Sequence, residues 1–173
     1  MRKFVYSLMM LFVFVSCNNK ERQVEKINTN VEKIAVDSVL TLWHKSAAEA
    51  KFEPYFNAMT DKSVFIGTDA GENWNIKDFK SFSKPYFDKG KAWSFKAVER
   101  NIYVYNDGEL AWFDELLDTW MGVCRGSGVL IKVYDGWKIE HYVLSLTIPN
   151  DNIEDVKNVN KEKDSLFLSK FKK

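Results

Sequence analysis

Two side chains able to move protons stand out in the second half of the chain. They are Asp114, in Ala111-Trp112-Phe113-Asp114-Glu115, and His141, in Glu140-His141-Tyr142. A carboxylate among apolar neighbours is desolvated, which raises its pKa toward a value useful to a general base, and a histidine can return the proton or donate to a developing oxyanion. The same two residues also read as a satisfied buried carboxylate and a core histidine. No nucleophile–base pair and no phosphate loop accompanies them. His44 and His141 have no metal-ligand spacing to each other or to Cys124, so neither a metal site nor a cofactor is expected.

Whether Asp114 and His141 can meet depends on the elements that carry them. From Trp93 onward the apolar pattern has period two, giving strands at about 92–105, 109–118, 123–134 and 137–147, joined by turn signals at Asn106-Asp107-Gly108 and Asp135-Gly136. With Asp135-Gly136 as a two-residue turn, Leu130 faces His141, Gly128 faces Val143 and Gly126 faces Ser145. With the preceding loop centred on Trp120, Asp114 faces Gly126 and Trp112 faces Gly128. One sheet face then presents Trp112, Asp114, Leu116, Cys124, Leu130, Trp137, Ile139, His141, Val143 and Ser145, and the other Phe113, Glu115, Leu117, Arg125, Tyr142 and Leu144. A β-bulge in strand 109–118 would instead turn Asp114 outward and put Glu115 in its place.

Upstream, Val36, Val39, Leu40, Trp43 and Ala47 recur at spacings of three and four, predicting a long amphipathic helix over about 31–50. Pro54 suits the first turn of a short second helix carrying Tyr55, Phe56 and Met59. Val64-Phe65-Ile66 reads as a strand ending in a turn at Gly67–Gly71, and Asn75 as the cap of a third helix bearing Ile76, Phe79 and Phe82. The polar, Lys-rich tail from Asn152 has only a weak apolar stripe and is expected to pack loosely or fray.

This order of elements resembles the cone-shaped α+β barrel of the nuclear transport factor 2-like superfamily. Phe65-Ile66-Gly67-Thr68-Asp69, Glu72-Asn73-Trp74, Ala111-Trp112-Phe113-Asp114-Glu115, Gly126-Ser127-Gly128 and Gly136-Trp137-Lys138-Ile139 together look like its SnoaL-like branch, over roughly residues 32–150. The resemblance implies a curled antiparallel sheet packed on N-terminal helices around a pocket. It leaves activity open, because one fold hosts many chemistries. The pocket wall is expected to draw on Trp43 and Tyr55 from the helices, on Asp69, Trp74 and Trp93, and on Trp112, Gly126, Gly128 and Ser145 from the sheet. Asp69 also reads as turn and cap chemistry, and Trp112 over the glycines as core packing. Both sheet faces are largely apolar, and superfamily members often pair through the sheet, so a homodimer through the second face is expected.

At the N-terminus, Arg2 and Lys3 precede an apolar run, Phe4 to Val15, too short for the ~20 residues of a membrane span. Phe14-Val15-Ser16-Cys17 resembles a bacterial lipobox, which implies a signal peptide over 1–16, lipidation of Cys17 and a polar tether over 17–31. A conventional signal peptide with an incidental cysteine is the alternative. The domain then spans 32–150 and the tail 151–173, and the protein is expected in the cell envelope, facing the periplasm or exterior. The 25 Lys+Arg against 24 Asp+Glu leave no basic stripe for nucleic acid. Two function classes remain: non-catalytic binding of a small, largely apolar molecule in an aromatic cone, and an acid–base isomerase, dehydratase or cyclase using Asp114 and His141.

Overall fold

The computed structural model describes residues 27–172; the expected signal peptide over 1–16, Cys17 and most of the expected tether lie outside them. The elements run α1 (Thr29–Ala48), α2 (Phe52–Asn57), β1 (Met59–Ile66), β2 (Asn73–Asn75), α3 (Ile76–Asp88), β3 (Lys96–Val104), β4 (Leu110–Thr119), β5 (Gly122–Val133), β6 (Gly136–Leu146) and α4 (Ile153–Ser169). No helix among the described residues is long and apolar enough to cross a membrane.

The helices begin where polar side chains take up their unpaired N–H groups. The Asn28 side chain accepts from the Asn30 N–H at 3.2 Å, and the Asn75 carbonyl oxygen from the Asp78 N–H at 3.0 Å. The buried face of α1 is Val36, Leu40, Trp43 and Ala47, so the three-and-four spacing is the packing face. The tail is not frayed. Glu154 and Asp155 in its first turn and a Lys157–Glu154 ion pair at 2.8 Å support α4, yet α4 buries none of its residues.

Six strands form one sheet in the order β2-β1-β6-β5-β4-β3, an open curled sheet with the N-terminal helices on its concave face. The three C-terminal hairpins are antiparallel as expected. The pairing of β1 with β6 is parallel and joins the early strand to the end of the meander.

Two details of register decide which side chains enter the cone. The β4–β5 turn is Trp120-Met121, so Thr119 pairs with Gly122 and Glu115, not Asp114, pairs with Gly126. In β6, Val129 pairs with His141 but Leu130 pairs with Ile139, leaving Glu140 as a bulge residue. The neighbouring β1 holds that bulge: Thr60 Oγ1 donates to the Glu140 carboxylate and Ser63 Oγ to the Ile139 carbonyl. The β5–β6 turn is Tyr134-Asp135, two places from the expected register, which leaves the facing of Trp137 and Ile139 unchanged because side chains alternate with period two.

The concave face therefore carries Phe113, Glu115 and Leu117 from β4, Cys124 and Leu130 from β5, and Trp137, Ile139, Tyr142 and Leu144 from β6, all buried. This corrects the expected facing. Trp112, Asp114, Leu116, His141, Val143 and Ser145 point to the helix-free face, because a one-place error in the β4–β5 register and the unforeseen bulge at Glu140 each reverse a strand.

Candidate functional site

Inside the cone, the fully buried Glu115 is enclosed by charged and polar partners. The His44 Nε2–H donates to Glu115 Oε1 at 2.7 Å, Arg100 donates to Oε2 through Nε and a terminal nitrogen, both at 2.8 Å, and the Tyr142 hydroxyl reaches Oε1 at 3.4 Å. Arg100 extends to the α1 surface, meeting Asp37 Oδ1 at 2.8 Å and Thr41 Oγ1 at 3.0 Å. Burial pushes the Glu115 carboxyl upward, but the hydrogen bonds and charges of His44 and Arg100 outweigh it, and the group lies below the usual glutamate range. Burial, and next the Glu115 charge, push the Tyr142 phenol well up. A carboxylate with this many donors stays ionised and has little tendency to take a proton from anything else. It pins α1 to β3 and β4.

The glycines opposite belong to the same arrangement. A side chain at Gly126 would begin 2.5 Å from the Tyr142 hydroxyl oxygen and 2.9 Å from Glu115 Oε1. A side chain at Gly128 would begin 2.9 Å from the Phe113 ring and would overlap the His141 carbonyl oxygen. The space they leave is filled by Glu115, Tyr142 and Phe113 rather than open to a ligand.

Aromatic rings fill most of the cone. Trp43 stacks on Tyr55 with centroids 4.9 Å apart, Phe65 on Phe79 at 4.1 Å, and Phe79 on Trp93 at 5.8 Å. Trp43 Nε1 and the Tyr55 hydroxyl are buried without a hydrogen-bond partner. Burial pushes the Tyr55 phenol well up; the Trp93 indole nearby opposes this slightly but does not reach hydrogen-bond geometry.

What remains open is a cavity of about 150 Å³ at the end of the cone where the β1–β2 loop, α3, the 92–95 linker and the β4–β5 turn converge. Its aromatic wall includes Trp74, Phe79, Phe82, Trp93, Phe95 and Trp120. Trp74 and Phe82 lie parallel, 5.1 Å apart. Trp120, at the tip of the β4–β5 turn, is 82% exposed at the rim. Thr68 and Glu72 supply the polar edge.

Among the expected site residues, Trp74 and Trp93 line this cavity, while Trp43 and Tyr55 lie behind it in the core. Asp69 is next to the rim, where its carboxylate caps the β1–β2 turn by accepting from the Gly71 N–H at 2.8 Å. Trp112, Asp114, His141 and Ser145 are on the other side of the sheet. There Trp112 stacks on Tyr103 at 5.6 Å, and Asp114 meets Asn101 at 3.2 Å and Arg125 at 3.8 Å. His44, Arg100 and the cavity residues Phe82, Phe95 and Trp120 were not foreseen as site residues, and Glu115 was expected in the pocket only through a bulge in its strand, whereas the β4–β5 turn register brings it there. A one-place change of register was enough to find Glu115. No group of three or more His, Cys, Asp or Glu among the described residues could hold a metal ion.

The family model for the SnoaL-like domain matches residues 36–149, and the chain belongs to that family. Solved structures agree on the fold. An NTF2-like protein of unknown function from Pseudomonas putida KT2440 is similar with a TM-score of 0.59 at 11% identity, covering 73% of this chain and 93% of that one. A cystatin-like domain of unknown function from Nostoc punctiforme gives 0.60 at 14%, covering 80% and 96%. A protein from Streptomyces avermitilis, provisionally assigned as a dehydratase of the NTF2-like family, gives 0.57 at 14%, covering 70% and 99%. No curated protein matches the chain.

Proposed function

We propose that the protein is a membrane-anchored binding protein that holds a small, largely apolar molecule in the aromatic cavity and does not turn it over. The observation that carries this reading is the cavity itself: about 150 Å³, walled by seven aromatic rings. Drug-sized ligands need roughly 300–1,000 Å³, whereas an apolar cavity of ~150 Å³ accepts a ligand of benzene size. The part of the ligand held inside the cavity is therefore no larger than a single ring or a short branched chain.

Two facts support binding over turnover. The cluster of Glu115, His44 and Arg100 is consumed by its own contacts, and neither Glu115 nor His44 lines the cavity. An acid–base enzyme is the second reading, favoured by the 2.7 Å His44–Glu115 contact and by the likeness to the Streptomyces protein provisionally assigned as a dehydratase. A native mass spectrum of the detergent-free protein separates them. A bound small molecule recovered unchanged after incubation supports the first, and a recovered product supports the second.

Anchoring through Cys17 rests on the lipobox-like Phe14-Val15-Ser16-Cys17. Metabolic labelling with a fatty-acid analogue is expected to tag the wild type and not Cys17→Ser; an untagged wild type contradicts it. The helix-free sheet face completes the proposal. Five strands about 4.8 Å apart and ~33 Å long span roughly 800 Å², the area each partner contributes to a standard interface, so a second copy fits this face.

A further inference from the structure

We propose that the ligand of the aromatic cavity carries a positive charge and is a small ammonium compound, best suited when methylated. The inference rests on the binding reading above and adds to it the sign of the ligand's charge. Aromatic rings present a negative face, and several rings around one point attract a cation desolvated between them. Seven rings line the cavity, the one ionisable side chain among its lining residues is Glu72, and no lysine, arginine or histidine contributes to it.

Glu72 is placed for this role. Its Oε2 accepts from the Asp69 N–H at 3.2 Å, and none of the ion pairs among the described residues involves it. Glu115, by contrast, is matched by Arg100, and Glu32 by Lys132 at 2.6 Å and by the Trp137 indole N–H at 2.8 Å. The Glu72 side chain lies against Gly67, where any side chain would overlap the carboxylate, so the absence of a Cβ at 67 leaves room for the charge there. A carboxylate at the edge of an aromatic enclosure, with no protein cation, favours a cationic guest and repels an anionic one. A trimethylammonium head is about the size of the single ring that such a volume accepts.

The test is calorimetric titration of the mature protein with choline and with 3,3-dimethylbutan-1-ol, which has the same shape without the charge. Choline is expected to bind about tenfold tighter, and Glu72→Gln to remove about tenfold of its affinity while leaving that of the alcohol within about twofold. The unchanged alcohol binding also shows that the variant is folded. Equal affinity for the two compounds, or choline binding that ignores Glu72→Gln, overturns the inference while the cavity remains a binding site for neutral molecules. If neither these compounds nor benzyl alcohol binds, the binding reading fails and the inference fails with it. Glycerophosphocholine separates two sources of the same chemistry: binding tighter than choline's assigns the cation to a lipid headgroup, and weaker binding to a free solute, either result retaining the ammonium.

Discussion

Glu115 and Gly126 face each other across β4 and β5, and the Glu115 carboxylate reaches into the space that a side chain at 126 would need. The buried ion cluster and the glycine on the next strand are thus one packing unit. Gly126→Ala forces a methyl group against the Tyr142 hydroxyl and the carboxylate, both on fully buried side chains. It is expected to cost about 1–3 kcal/mol, measured by urea unfolding. A stability within about 0.5 kcal/mol of wild type would show that the cluster relaxes freely.

The cluster also sets a pH dependence. The carboxyl of Glu115 is held below its unfolded value, so its contribution to stability is fully present above the ordinary glutamate pKa of about 4.5 and is lost as pH falls through the lowered folded value. Glu115→Gln leaves Arg100 and His44 buried beside a neutral amide. We expect a loss of about 3 kcal/mol at neutral pH, roughly 6–12 °C in Tm, and a flatter stability profile in acid. Parallel acid profiles for the two proteins would remove Glu115 from this role.

On the helix-free face, Trp112 and Tyr103 stack while 41% and 43% exposed, at the β3 edge of the surface assigned to a second copy. Sedimentation at tens of micromolar is expected to show a dimer, and Trp112→Lys to shift it to monomer without changing the far-UV spectrum. A monomeric wild type would refute the pairing.

Helix α4 buries nothing, so its removal tests how far the domain is self-contained. A chain ending at Pro149 is expected to melt within about 2 °C of the full protein. A larger drop would mean that α4 packs on the domain in solution.

The fold was readable from the sequence because its signals are local. The three-and-four spacing of Val36, Leu40, Trp43 and Ala47, the Asn75 cap and the period-two strands each fix one element without reference to the others. The site was not readable in the same way, because it depends on register. Whether Asp114 or Glu115 enters the cone turns on one residue in the Trp120-Met121 turn, and whether His141 or Tyr142 does turns on a bulge at Glu140. That bulge is stabilised by Thr60 and Ser63, some eighty residues away, through a parallel pairing that no hairpin signal announces. Trp74 and Trp93 could be read as pocket wall from the sequence, but Phe82, Phe95 and Trp120 needed the tertiary structure.

The central claim is that the cavity between Trp74, Trp93 and Trp120 is a binding site, and one titration bears on it most directly. Calorimetry with benzyl alcohol, a single-ring probe, compares the wild type with Thr68→Trp, which fills the cavity from its polar edge. Saturable one-to-one binding by the wild type, abolished in a folded Thr68→Trp, is expected. Heats that do not saturate in the wild type, or equal binding by both proteins, would contradict it.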